Sequence, residues 1–485
     1  MGTAPGRRVL LILLLAYIFN FIDRQIIGIL AVPIKAELVL SDKQLGLMGG
    51  IAFALFYSGL AIPIAWLADR KSRVNIIAAS VALWSAFTAA CGLAQNFWQL
   101  FLARMGVGIG EAGGVAPSYA LVSDFYPKEK RGRALAFFSL GIPIGSALGV
   151  FFGGWIATHL DWRSAFLIVG LAGLPAALLV KLFIPEPVRG GFDSADGAAS
   201  APAPPFLTVT GALAANPSFW LLSFGAASGS ILGYGLIFWL PSFFTRSHGL
   251  DLAEVGLFYG SIVLVGGMAG TWLGGWFADR TGSGRPAFYA LIPAISLLIA
   301  APAFAFGVMV PSLVLAWFLF TIGQMFALAW LGPVIAAVQH IVPPNMRAAA
   351  SANFLFINNL IGIGFGIFFL GFMSDTMTEA YGSESLRYSI LFGLGFYLVS
   401  AALYFLASRV IARDWWTPER GDPGKNPRGA IGMLLTLGSG VATAFVLMLG
   451  GASAPTARIA LALCATGVLL GLALLLTQRV ERARA

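Results

Sequence analysis

Asn20-Phe21-Ile22-Asp23-Arg24-Gln25 sets an acid beside a base near the middle of a run, Val9 to Leu38, that is otherwise mostly apolar. About 20 apolar residues already cross a bilayer as a helix, so the run reads as a membrane span. A charge at the centre of such a span costs about 2.5–3.5 kcal/mol on insertion scales, and charges kept there face a protein interior or a wet cavity. Asp23 and Arg24 therefore either lock helices together as a static ion pair or take part in transport. Intramembrane charge favours the second reading.

Hydrophobic residues make up 58% of the 485, charged residues 11%, and phenylalanine occurs 39 times, which excludes a water-soluble domain of this length. The apolar stretches are rich in Leu, Ala, Gly and Phe and lack the alternation of a membrane barrel, so the expected fold is all-α and polytopic. Cys91 and Cys464 fall inside expected spans and read as packing residues, with no disulfide framework. Arg7 and Arg8 precede an apolar run too long for a signal-peptide core, and the first helix is expected to stay in place.

Apolar windows and turn signals give spans near 9–38, 46–68, 74–94, 98–123, 131–157 and 164–184. A Pro-, Ala- and Gly-rich stretch from Pro185 to Pro217 then reads as a linker. Six more spans follow near 218–246, 254–278, 287–307, 312–341, 347–374 and 387–411, and two further apolar runs at 430–450 and 457–477. The expected organisation is a six-helix bundle over 1–184, a cytoplasmic linker over 185–217, a second six-helix bundle over 218–411, and a loop with two additional helices over 412–485. With the N-terminus in the cytoplasm, 22 of the 30 Lys and Arg fall on the cytoplasmic side, 6 on the other, and Arg24 and Arg104 within spans. Cytoplasmic loops carry such an excess, so both termini are expected in the cytoplasm of a bacterial-type inner membrane. The net charge of +9 thus reports topology and implies no nucleic acid.

The two halves repeat. Ala65-Trp66-Leu67-Ala68-Asp69-Arg70-Lys71-Ser72-Arg73 closes the second span, and Gly275-Trp276-Phe277-Ala278-Asp279-Arg280-Thr281-Gly282 closes the eighth. Pro117, Pro127 and Arg131 match Pro333, Pro343 and Arg347 in one register. Six spans per half start each half on the same side, as in parallel repeats related by an axis along the membrane normal, with a cavity between them.

These residues resemble the major facilitator superfamily over about 7–411, the last two helices having no counterpart. Trp66-Leu67-Ala68-Asp69-Arg70-Lys71-Ser72-Arg73 is similar to its loop motif G-x-x-x-D-R-x-G-R, with Ala65 and Ser72 where glycines are usual; the second copy, with Gly275 and Gly282, fits better. Arg104-Met105-Gly106-Val107-Gly108-Ile109-Gly110-Glu111-Ala112 is similar to the motif of the fourth span. Within the superfamily, N-F-I-D-R-Q and G-I-G-E-A look most like the spinster-type lipid transporters, and less closely like the organic anion:cation symporters. The resemblance implies a lysophospholipid or sphingosine-phosphate-like substrate and proton coupling, and the second resemblance a sugar acid.

Proton coupling needs a carboxyl that titrates near working pH, and Asp23 and Glu111 are the two within spans. Arg24 points about 100° from Asp23 on a helix, free to face Glu111 or an anion that its planar fork suits. Asp23 and Glu111 are therefore assigned to proton coupling, and Arg24, with Arg104 and Glu111, to the substrate. Against this, Arg104 and Glu111, seven apart on one face, also fit a purely structural network. Asn20, Tyr119, Trp330, Asn353 and Asn358 are further candidates for the cavity wall, as are Phe56 and Asn359, although a Phe-rich protein also turns many aromatics to lipid. His159, His248 and His340 fall at span ends and are poor central proton carriers. Asp69, Arg70, Arg131, Asp279, Arg280 and Arg347 read as a cytoplasmic gate, since positive-inside charge alone does not explain the repeated acid. Gly141, Gly145, Gly149 and Gly153 strip one face of the fifth span for close packing.

An enzyme is not expected: H-E-x-x-H, G-x-S-x-G and Walker patterns are missing, and no long stretch lies outside the membrane. No cofactor or metal is expected, and the transporter is expected to act as a monomer in the bilayer on a small amphipathic or anionic substrate and protons. A scramblase or sensor remains as a different class. Reporter fusions test the topology: a fusion after Gln478 is expected to read as cytoplasmic, and a periplasmic reading removes one of the last two helices.

Overall fold

A computed structural model describes residues 4–68, 70–187, 204–282, 284–417 and a short piece at 431–433 and 435–436. The chain through 417 forms twelve helical rods, and no strand occurs among the described residues. Span 1 is Ala4–Ile29 with Ala31–Leu38; span 2 runs through Asp42–Gly46, a π-helical turn Leu47–Ile51, and Ala52–Ala68; span 3 is Arg73–Cys91. Span 4 is Phe97–Glu111 with Val115–Phe125, span 5 is Lys128–Ser139 with Gly141–His159, and span 6 is Trp162–Phe183. In the second half, spans 7, 8 and 9 are Pro217–His248, Leu252–Gly282 and Phe288–Met309. Span 10 is Leu313–Leu328 with Leu331–His340, span 11 is Arg347–Tyr381, and span 12 is Ser385–Gly393 with Gly395–Asp414. By length and hydropathy alone ten described stretches qualify as membrane-crossing, one of them, Pro344–Asp414, holding two rods. The expected runs at 430–450 and 457–477 lie outside the described residues, apart from the piece at 431–436.

The repeat read in the sequence has a bonded counterpart in both halves. Proline lacks an N–H and cannot serve the carbonyl four residues back; with Pro117 and Pro333 in matching places, spans 4 and 10 both break, and their second segments start at Val115 and Leu331. Arg131 donates to the Ser123 carbonyl at 2.9 Å, and Arg347 to the Gln339 carbonyl at 3.2 Å, the same reach back in each half. The Arg70 and Arg280 guanidinium groups lie 3.9 and 5.4 Å from the ring centres of Trp66 and Trp276.

Inside the segment read as a linker, the structure forms a helix, Phe206–Ala214. Its Val209 and Leu213 are fully buried, and Thr210 donates to the Asn353 side chain of span 11 at 3.1 Å. At the other end of the segment Glu186 caps span 3, accepting from Ser72 Oγ at 2.6 Å and from the Arg73 and Val74 N–H groups at 3.0 and 3.1 Å.

Small residues set the packing of the rods. The glycine stripe of span 5 seats span 1: a Cβ on Gly145 would lie 2.5 Å from the Ile18 carbonyl oxygen, and one on Gly149 2.9 Å from Ile22 Cα. The opposite face of span 5 meets span 8, where a Cβ on Gly154 would lie 2.1 Å from the Leu252 carbonyl oxygen. Span 2 meets span 11 as closely, Gly46 against the Phe368 backbone and Gly50 against Gly364. The approaches between spans 5 and 8 and between spans 2 and 11 join the two halves toward the mouth formed by the ends of spans 1, 7 and 11. Toward the other mouth, nothing lies within 4 Å of where a Cβ would stand on Gly59 or Gly275. The halves thus touch at the mouth of spans 1, 7 and 11.

Gly154→Val is expected to force spans 5 and 8 apart, an overpacking that typically costs about 1–3 kcal/mol. Gly59→Ala, placed in open space, serves as control. Thermal melts followed by tryptophan fluorescence should show a lowered midpoint for Gly154→Val alone; equal midpoints would mean that this seam yields freely.

Candidate functional site

The charges of span 1 meet those of span 4 deep in the first half. Arg24 Nε donates to Glu111 Oε2 at 2.6 Å, with the Arg24 side chain 13% exposed and Glu111 fully buried. Arg24 thus meets Glu111, one of the partners its angle on the helix leaves open. The glycines of Arg104–Ala112 explain how Glu111 reaches that depth. A Cβ on Gly108 would lie 2.6 Å from the Phe53 carbonyl oxygen in span 2, and one on Gly110 2.5 Å from the Trp84 backbone nitrogen in span 3. Only a bare backbone lets span 4 come this near to both neighbours. Glu111 is the last residue before the break in span 4, and its carbonyl accepts from the Gly114 N–H at 3.0 Å.

An aromatic cradle surrounds the guanidinium. Its carbon lies 4.4 Å from the Tyr57 ring centre and 5.1 Å from those of Phe21 and Phe53, while Tyr57 and Phe53 stack on each other. A cation on ring faces gains about 0.5–2 kcal/mol per contact depending on desolvation. Tyr234 of span 7 lies within electrostatic reach of Arg24, so the pair sits where the halves face each other.

Asp23 and Arg104 are each 1% exposed, and Asp23 lies within electrostatic reach of both Arg104 and Glu111. Two acids and two bases leave this core formally neutral. Thr88 lies beside Asp23 and Asn20 beside Glu111, so the polar side chains of spans 1, 3 and 4 converge on one buried cluster.

The other expected wall residues divide. Asn358 accepts from Ser230 at 2.8 Å and donates to Asn359 at 3.3 Å, forming a polar strip on spans 7 and 11. Asn353 is engaged elsewhere, donating to the Ala349 carbonyl and accepting from Thr210 of the short helix. Tyr119 lies 3.5 Å from Ser139 Oγ and edge-on to Phe138, and Trp330 is buried at the break of span 10. Asp69 and the side chain of Asp279 lie outside the described residues. His159, His248 and His340 end spans 5, 7 and 10. Among the described residues no cluster of three or more His, Cys, Asp or Glu offers a metal site.

The sequence model of the Major Facilitator Superfamily matches residues 13–366. The chain belongs to this superfamily. Among its facilitator relatives, an MFS-type efflux pump of Mycolicibacterium smegmatis is 34% identical over 404 residues, 83% of this chain and 92% of that protein. The sphingosine-1-phosphate transporter SPNS2 of Danio rerio is 27% identical over 423 residues, 82% of each. A crystal structure described as a bacterial homolog of the human lysosomal transporter Spinster, inward-facing and unoccupied, is 34% identical and superposes with a TM-score of 0.77, covering 86% of this chain and all of that one. The protein is a facilitator transporter of the spinster type, not an enzyme.

Arg24 and Glu111 are expected to behave as one unit. Removing one member of a buried pair typically costs about 3–5 kcal/mol because the other charge is stranded. Arg24→Ala and Glu111→Ala should therefore each lower stability strongly, while the double variant loses less than the sum. Additive losses in chemical denaturation would show the two to be independent.

Proposed function

We propose that this transporter moves a single-chain amphiphile with an anionic head, a lysophospholipid or a sphingoid phosphate, by proton-coupled alternating access. The carrying observation is Arg24. Its Nε is held by Glu111, Tyr57 lies beside it, and the group is partly exposed in an aromatic cradle between the halves. A planar guanidinium binds phosphate with two donors, and each acyl methylene buried on the apolar walls contributes about 0.8 kcal/mol. The name of the Danio rerio relative, a sphingosine-1-phosphate transporter, points the same way.

Asp23 and Glu111 are the proton-linked pair, with Arg104 tuning both. A proton on Glu111 weakens its hold on Arg24 and frees the guanidinium for an anionic head; a departing head returns Arg24 to the carboxylate. Asn20, Tyr119, Trp330 and Asn358 complete the proposed wall, and Asn353 supports it from behind through the short helix. Asp69, Arg70, Arg131, Asp279, Arg280 and Arg347 close the Lys- and Arg-rich mouth in the opposite conformation. That mouth and both termini face the cytoplasm of a bacterial inner membrane, and the transporter works as a monomer in the bilayer.

A sugar-acid symporter is the second reading, favoured by the Ser230, Asn358 and Asn359 strip, which suits substrate hydroxyls. Proteoliposomes with an imposed proton gradient decide between them. Saturable lysolipid uptake is expected, lost in Asp23→Asn and Glu111→Gln, with Arg24→Ala weakening anionic-headed lipids about tenfold more than neutral ones, as loss of a charged hydrogen bond implies. Uptake of a hexuronate without competition by lysolipids would install the symporter, and gradient-independent, unsaturable lipid movement would indicate a scramblase.

A further inference from the structure

At the closed mouth one carboxylate of span 2 gathers partners from three other spans. Asp42, 1% exposed, opens the helix Asp42–Gly46 of span 2. Arg246 of span 7 grips it with both terminal nitrogens, Nη1 to Oδ2 at 2.6 Å and Nη2 to Oδ1 at 2.7 Å. Lys35 of span 1 donates to Oδ1 at 2.6 Å, and Ser374 of span 11 to Oδ2 at 2.8 Å. The backbone makes the return connection: the N–H groups of Asp42 and Lys43 donate to the carboxylate of Asp375 at 3.0 and 2.7 Å. The first turn of a span 2 helix is therefore capped by a residue of the opposite half. A capping box between Ser41 and Gln44 fixes where that helix starts, and so where Asp42 points.

Most of these bonds join the two halves, so they exist only while this mouth is closed. Two-pronged arginine–carboxylate pairs are among the stronger and most direction-dependent contacts available. The other seam of the same mouth is different in kind. Gly154 and Gly256 bring spans 5 and 8 together backbone against backbone. At the repeat offset of the Trp66 and Trp276 loops, the counterpart of Asp42 is Leu252, an apolar residue whose carbonyl abuts Gly154. Immediately after Gly46, span 2 loosens into the π-helical turn Leu47–Ile51. Such turns inside α-helices recur at functional sites.

We propose that Asp42 is a positioning residue of the transport cycle: acting through Arg246 and Asp375, it sets the fraction of molecules closed at this mouth, and its release opens the mouth by flexing span 2 at Leu47–Ile51. A contact present in one conformation alone shifts the equilibrium by its own differential free energy. The carboxylate is thus a conformational control remote from the substrate, and its role does not depend on what the substrate is.

Spin labels at Val39→Cys and Ser383→Cys, on opposite halves beside a cavity of about 800 Å³ at this mouth, report its opening. They are placed in the full chain with Cys91→Ala and Cys464→Ala, reconstituted in nanodiscs and read by pulsed electron paramagnetic resonance. Asp42→Asn and Arg246→Gln are each expected to raise the ratio of long to short distances about tenfold, within the usual span of coupling between sites. Asp42→Glu should keep the short distance. The double variant should open the mouth no further than either single, because both act through one pair. Unchanged distances in both single variants, or effects that add in the double, would overturn the proposal. A lowered melting temperature without a change in distances would also overturn it, reducing Asp42 to a structural staple. If Asp42→Asn fails to fold, Arg246→Gln and Asp375→Asn take its place: a rise in long distances supports the proposal, and unchanged distances overturn it.

Discussion

Burying Arg24 and Glu111 is the constraint on which the rest of the first half depends. A guanidinium and a carboxylate taken out of water each lose several kcal/mol of solvation, recovered only through close and well-directed contact. Contact at 2.6 Å requires span 1 to lie near span 4, and both to lie near the rings of span 2. The glycines follow from that requirement. Span 1 is seated on span 5 by Gly145 and Gly149, and span 4 on spans 2 and 3 by Gly108 and Gly110. Membrane helices have little hydrophobic drive to associate, since lipid is as apolar as leucine; close packing of small residues and polar contacts draw them together instead.

Much of the fold was legible because a repeat carries its own control. Pro117 and Pro333 were visible as a pair in register, and the structure breaks both rods at matching places for the reason proline always breaks them. Most rod ends lie within a few residues of those read from hydropathy, but span 11 runs on to Tyr381, about two turns past the expected end at 374. What hydropathy missed was local and amphipathic. Phe206–Ala214 lies in a stretch whose average composition is that of a linker, yet Val209 and Leu213 stand four apart and are wholly buried. A window wide enough to find spans blurs so short a helix.

The site divides along a similar line. Asp23, Arg24, Arg104 and Glu111 announced themselves because charge in an apolar run is conspicuous, and the angle between successive residues left Glu111 open to Arg24. Asp42, Lys35 and Arg246 carried no such signal: each lies near a span end, where a charge ordinarily reports topology. Their meeting depends on the closure of one half on the other, and more than 200 residues separate Asp42 from Arg246, a partnership that no periodicity encodes. Asn353 shows the converse, a polar residue that stood out in the sequence and whose amide is used to hold a neighbouring helix.

The buried Arg24 cluster and the closed mouth are carried by the same two rods. Asp42 and Phe53 are eleven residues apart on span 2, and Arg24 and Lys35 eleven apart on span 1, roughly 16 Å along a helix at 1.5 Å per residue. Both rods are interrupted in between. Span 1 breaks at Leu30, where Pro33 leaves the carbonyl of Ile29 without its usual donor, and span 2 passes through Leu47–Ile51. An unbroken helix would carry any movement of Arg24 rigidly to Lys35, and the mouth would follow the site as a single body. With a break in each rod, the ends at Lys35 and Asp42 can part from span 7 and span 11 while Arg24 and the Phe53 and Tyr57 rings keep their places. The interruptions allow the site to stay formed while the mouth above it opens, which is what alternating access demands of the helices that line both.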